Sequence, residues 1–256
     1  MTNVMVLLLT SAFVAAAAGY IGSFMVLKRL SLVGDALSHV ALPGMAVALL
    51  LGFHPMLGAL FALTLAVLGI WFIQNRSSVY PDALVGLFFT ASLAVGILIT
   101  PQPDLLEALF GDIQKITSLE SLLAISVSLA VIVITRIISR QLALSTISEE
   151  LAKSTGISVK TINLIFYLLV GTVVALGVKF VGTLLMGALV IVPAASAKNI
   201  SRKLNAYHLW SIIFGVASAI IGSLLSQILI IPPGPAVVLT SISIFLLTFI
   251  IKPLSR

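Results

Sequence analysis

Long apolar runs dominate the chain, separated by short polar or Gly/Pro punctuation. They fall at about 4–27, 33–52, 56–74, 83–100, 120–138, 162–178, 180–197, 207–230 and 235–251. A hydrocarbon core of about 30 Å takes roughly 20 helical residues to cross, so each run predicts a membrane span or something close to one. The weakest separation is within 162–197, where only Lys179 interrupts the apolar pattern. Eight spans plus a re-entrant piece is the variant of the nine-span reading. No basic n-region precedes the first run and no small-residue cleavage pattern follows it, so it is expected to be a retained span.

Composition removes the soluble alternative. Of 256 residues, 60% are hydrophobic and 9% charged, and the mean hydropathy is +1.25. An ordinary soluble domain carries about 25% charged residues to face water. The expected fold class is therefore an all-α polytopic membrane protein in a single transmembrane domain, 1–256. With no cysteine in the chain, disulfides, thiolate metal sites and cysteine nucleophiles are excluded.

The charges then orient the spans. With the N-terminus outside and the C-terminus in the cytoplasm, the inner loops and ends hold Lys28, Arg29, Arg76, Arg136, Arg140, Lys153, Lys160, Lys198, Arg202, Lys203, Lys252 and Arg256. Only Lys115 and Lys179 fall outside. Basic loops are retained on the cytoplasmic side, and twelve against two selects this orientation. The net charge of +6 thus follows from topology and calls for no nucleic acid. The acids lean the other way: Asp104, Glu107, Asp112 and Glu120 sit in or beside the outer segment 101–120. An acidic outer mouth attracts cations or a basic docking surface; absence of selection for positive charge there explains it equally well.

Ionisable residues inside the spans are rare. The second span contains SLVGDALSHVALPGMAVALLLG, with Asp35 and His39 four residues apart and therefore on one helix face. An intramembrane carboxylate usually lines a pathway or has a partner. Oxygen plus imidazole suits a first-row divalent cation, and Ser38 adds a weak oxygen on an adjacent face. Two bland readings stay open, a structural Asp–His hydrogen bond and Asp35 as a helix cap. Pro43 and Gly44 in the same span, and Pro193 in GALVIVPAASA, favour kinks and close helix contacts. His54, in an outer turn, and His208, at the inner start of a span, read as interfacial residues.

One segment is polar and cytoplasmic, about 139–161. Within it SEELAKSTG predicts a short capped helix, with Ser148 as N-cap, Glu149 and Glu150 in the first turn, Lys153 in the last and Gly156 as the stop. A short helix held between two spans is a lever for a soluble partner; a solvated loop helix with no partner is the alternative.

Several of these stretches together resemble the permease subunits of the ABC importers for zinc, manganese and iron. They are GDALSHVALPGMAVALLLG, DALVGLFFTASLAVGILI (82–99), EALFGDI (107–113), EELAKSTGISVKTINLIFYLL (149–169), VGTLLMGALVIVPAASAKNIS (181–201) and the IPPGPAVVL turn (231–239). The ordered matches cover nearly the whole chain. The resemblance implies a fold similar to vitamin B12 and siderophore importer permeases, working as a homodimer with two ATPase subunits in the plasma membrane. It implies an extracytoplasmic solute-binding protein that delivers the metal, which is transported and not held as a cofactor. It makes the Glu149–Gly156 helix the coupling helix for the ATPase, sets Asp35 and His39 in the ion path, and puts EALFGDI near the outer mouth. One departure stands out: no acid occurs between Thr161 and Arg256, so a full coordination shell needs a second copy, backbone oxygens or water.

The chain has no GxxxxGK[ST], so ATP hydrolysis is expected in a separate subunit. A proton-coupled secondary carrier using Asp35 and His39 as a relay is the rival reading. Inverted repeats would favour it, and only a short echo exists, GDAL at 34–37 against PDAL at 81–84. An intramembrane enzyme is disfavoured because HExxH and GxSxG are missing.

Overall fold

The structure, a computed structural model, describes residues 2–77, 81–99, 117–183 and 185–251. Among these the regular structure is entirely helical. In chain order the helices are α1 (Thr2–Leu27), α2 (Ser31–Leu50), α3 (Pro55–Gln74), α4 (Pro81–Ile99), α5 (Ser118–Ile147), α6 (Glu149–Ser154), α7 (Val159–Val181), α8 (Met186–Ile200), α9 (Leu204–Leu229) and α10 (Pro233–Ile251). Seven are long and apolar enough to cross a membrane, namely α1, α2, α3, α5, α7, α9 and α10. The apolar parts of α4 and α8, Ala83–Ile99 and Met186–Ile200, are shorter. The acids Asp104, Glu107 and Asp112 lie outside the described residues.

Runs rich in Val, Ile and Leu become helices here because lipid offers no partner to backbone N–H and C=O groups. A helix satisfies them within its own segment. Helix association then rests on close packing and small residues, since lipid tails are as apolar as leucine. α1 packs against α9, α5, α8 and α7, while α2 packs against α3, α4, α8 and α7. Ile21, Phe24 and Met25 of α1, Leu37 of α2, Phe166 of α7 and Met186 of α8 are fully buried between them. Large apolar side chains also cover the outside, among them Leu98, Ile137 and Ile230. That is the inverse of a soluble surface and suits lipid.

The small residue expected to let another helix approach α2 does so. A Cβ on Gly44 would stand 2.3 Å from the carbonyl oxygen of Gly58 in α3, and one on Gly58 would stand 2.1 Å from that of Gly44. The two backbones touch at this crossing.

The polar segment 139–161 is more helical than its composition announces. α5 continues through residue 147 and is 30 residues long, about 45 Å at the helical rise. Its far end therefore reaches well beyond a ~30 Å core and carries α6 with it. α6 has the expected ends: Ser148 accepts from the backbone N–H of Leu151, Glu149 and Glu150 fill the first turn, and Lys153 lies in the last. The stop is a Schellman arrangement, with Gly156 at φ 79° and bonds from Gly156 N to Lys153 O and from Ile157 N to Ala152 O.

Candidate functional site

Asp35 and His39 lie one turn apart on α2, both turned into the bundle. His39 is 7% exposed and Asp35 half-buried. The His39 ring meets Phe89 of α4 edge-on at 5.0 Å. Its Nδ1 is buried with no hydrogen-bond partner among the described residues. The backbone carbonyl of the same residue lacks its usual intrahelical donor. Pro43, inside α2, has no N–H to give the carbonyl four residues earlier, and that carbonyl belongs to His39.

Facing Asp35 is α8. A Cβ at Gly187 would stand 2.7 Å from Asp35 Cβ and 2.9 Å from Oδ1. Only glycine there leaves the carboxylate its place.

Between α7 and α8 the helix is broken, with Gly182 at φ 82°. Buried backbone outside a helix persists only where other protein groups satisfy it. Ser38 does this: its hydroxyl shares one proton between the carbonyls of Asp35 and Thr183, both at 2.6 Å. Ser38 thus ties the break to α2, and its oxygen keeps lone pairs for a further partner. Thr183 is fully buried, and its own Oγ1 has no partner among the described residues. One region of the bundle therefore gathers a carboxylate, an imidazole and a buried hydroxyl, with a broken helix alongside.

Sequence reasoning found Asp35, Ser38 and His39 through their spacing on α2. It missed Thr183 and Gly187, which come from a distant part of the chain; the Gly-flanked stretch VGTLLMG was the available signal. It also placed His208 at an interface, whereas His208 is 8% exposed and enclosed by aromatic rings. His54 does lie at the rim, where Nδ1 caps α3 by accepting from Met56 N.

No three His, Cys, Asp or Glu residues cluster as a metal cage among the described residues. The acid Glu120, expected in the outer segment, is already partnered. Lys179 donates to its Oε1, His54 Nε2 lies 2.9 Å from the same oxygen, and Thr117 donates to Oε2 from backbone and hydroxyl. This cluster joins the starts of α3 and α5 to the end of α7. On the opposite ends of α5 and α7, α6 presents Glu149, Glu150 and Lys153 outward and rests on buried Ala152. The Lys153–Glu149 pair, at 3.7 Å and largely exposed, contributes only about 0.3–0.5 kcal/mol, so these charges are free to face a partner.

Against known proteins, the model of the ABC 3 transport family matches residues 1–252. The chain belongs to the ABC 3 transport family. Among its relatives, the manganese transport system membrane protein MntC of Listeria monocytogenes is 33% identical over 250 residues, spanning 96% of this chain and 89% of that one. The high-affinity zinc uptake system membrane protein ZnuB of Haemophilus influenzae is 33% identical over 248 residues, 94% of each. Among solved structures, PsaBC from Streptococcus pneumoniae in complex with Fab superposes with a TM-score of 0.88. That match is 30% identical and covers 99% of this chain and 93% of that one. This ABC 3 chain is thus a multi-pass membrane protein with the role of a transport permease, and the motif resemblance in its sequence is to its own family.

Proposed function

We propose that the chain is the membrane subunit of an ATP-driven importer that passes a divalent first-row metal ion into the cytoplasm. The observation that carries this reading is the Asp35–His39 pair turned into the bundle, with His39 Nδ1 and Thr183 Oγ1 unpartnered among the described residues beside a helix break. Buried polar groups are nearly always paired. A passing cation supplies the pairing: carboxylate and carbonyl oxygens with one imidazole suit manganese, zinc or ferrous iron. Two side-chain ligands make a weak site, as a path requires, since an ion held tightly is not released. The manganese and zinc systems named for the relatives support a metal as cargo.

The remaining parts of the reading follow the same logic. ATP is bound and split by a separate ATPase subunit docked on α6, which lies at the cytoplasmic side; the N-terminus is outside. The short α4 and α8 complete nine crossings when packed between longer helices. A second copy of the chain and an extracytoplasmic binding protein complete the transporter and deliver the ion.

The test is uptake of manganese and zinc into vesicles carrying the permease and its ATPase. ATP-dependent accumulation of either ion, unaffected by a protonophore, is the expected result. Uptake that needs no ATPase and follows a proton gradient would make the chain a secondary carrier instead.

A further inference from the structure

We infer that Lys28 clamps the two roots of the coupling helix to the turn that begins α2, and so transmits movement of α6 to the ion-path residues. The inference rests on the proposed function, in that it supposes α6 is where the ATPase acts.

α6 hangs between the end of α5 and the start of α7, so force on it reaches the bundle through those two ends. Lys28 bridges both. Its amine donates to Asn163 Oδ1 in α7 at 2.9 Å and to Ser145 Oγ in the last turn of α5 at 3.3 Å. The amine also lies 5.8 Å from the centre of the Phe166 ring, and Phe166 is fully buried. A lysine near a span end ordinarily snorkels its ammonium into water. This one instead commits its donors to neutral acceptors on two helices. Burial pulls the amine below the ordinary lysine range, with the Glu149 carboxylate on α6 opposing that shift.

The other half of the link is the turn itself. α1 ends in a Schellman pattern, with Leu30 N bonded to Met25 O at 2.8 Å and Arg29 N to Val26 O at 3.3 Å. Arg29 occupies the left-handed position at φ 60°, and Leu30 is 8% exposed. A non-glycine residue held there is fixed by its surroundings and not by local preference. The turn is therefore stiff. α2 starts at Ser31 and carries Asp35 in its second turn, so a shift of the α5 and α7 ends passes through Lys28 to Asp35 and His39.

The experiment uses the complete transporter in proteoliposomes, with ATP hydrolysis and manganese or zinc uptake measured on the same sample. The chains compared are wild type, Lys28→Met, Lys28→Arg and the acceptor double variant Ser145→Ala/Asn163→Leu. Lys28→Met and the double variant should co-purify with the ATPase and hydrolyse ATP, while ions moved per ATP fall about tenfold or more. Lys28→Arg, which keeps the charge and the donors, should recover most of that loss. An unchanged ratio of ions to ATP in Lys28→Met overturns the inference while leaving the proposed function intact. So does failure of Lys28→Met or the double variant to co-purify, because the contact would then serve assembly and not transmission. If wild type moves neither ion, the proposed function fails and the clamp falls with it.

Discussion

His39 and His208 are both buried in the helix bundle, and their surroundings are opposite. His208 is provided for. Its ring stacks on Phe24 at 4.4 Å, meets Tyr20 edge-on at 5.5 Å, and lies 2.6 Å through Nδ1 from Ser23 Oγ. The Ser23 hydroxyl has one proton, and the Tyr20 carbonyl, 2.6 Å away, can only accept it. His208 Nδ1–H is therefore the donor to Ser23. His39 has an aromatic neighbour too, but its Nδ1 has no partner among the described residues, and a carboxylate stands one turn away. Burying a polar group costs free energy unless it is hydrogen-bonded. The chain offsets that cost at His208 and leaves it standing at His39. One histidine holds α1 to α9; the other, on the function proposed above, meets the passing ion.

The comparison breaks first at His39. His39→Ala should reduce metal uptake to background with the protein still inserted and assembled, read by uptake alongside membrane expression. Normal uptake by that variant would remove His39 from the path. Next comes the carboxylate's seat. Gly187→Ala places a Cβ 2.7 Å from Asp35 Cβ and should cut uptake about tenfold by displacing the carboxylate, in line with the loss from a small misplacement. Uptake equal to wild type would show that Asp35 has room to spare.

His208→Ala should do the reverse. Loss of the Ser23 bond and of ring packing should lower stability by roughly 1–3 kcal/mol, seen as a lower midpoint in thermal unfolding of the purified protein, with uptake per folded molecule retained. If His208→Ala instead abolished uptake at normal stability, the contrast between the two histidines would collapse. The smallest effect is expected at α6. Glu149→Lys and Glu150→Lys should weaken co-purification with the ATPase while leaving the permease folded, because both side chains face outward.

Much of the fold was readable because apolar runs in lipid have few choices. The helices follow the apolar runs to within a few residues except at the start of α8, six residues later than the run, and at the end of α5. There Arg136, Ser139, Arg140 and Thr146 make the sequence look like a loop, while Leu, Ala, Gln and Arg are good helix formers, and the helix runs on to Ile147. The α7–α8 break was only half-visible: Lys179, read as the interruption, lies inside α7, and the break follows Val181, where Gly182 and the supporting bond from Ser38 did not show. Asp35 and His39 were legible because both lie on one helix face. Thr183 and Gly187 were not, since their meeting with α2 is a tertiary event between segments some 145 residues apart. His208 was misplaced for the same reason, as its partners Ser23 and Phe24 come from the other end of the chain. The acids at 104, 107 and 112 lie outside the described residues.

The most direct test of the ion path is elemental analysis of metal-starved cells carrying the complete transporter with wild-type permease, Asp35→Asn or His39→Ala at equal expression. One divalent metal should rise with wild type and with neither variant. If that metal rises equally with all three, Asp35 and His39 are not in the path. If no metal responds to the assembled wild type, the cargo is not a metal ion.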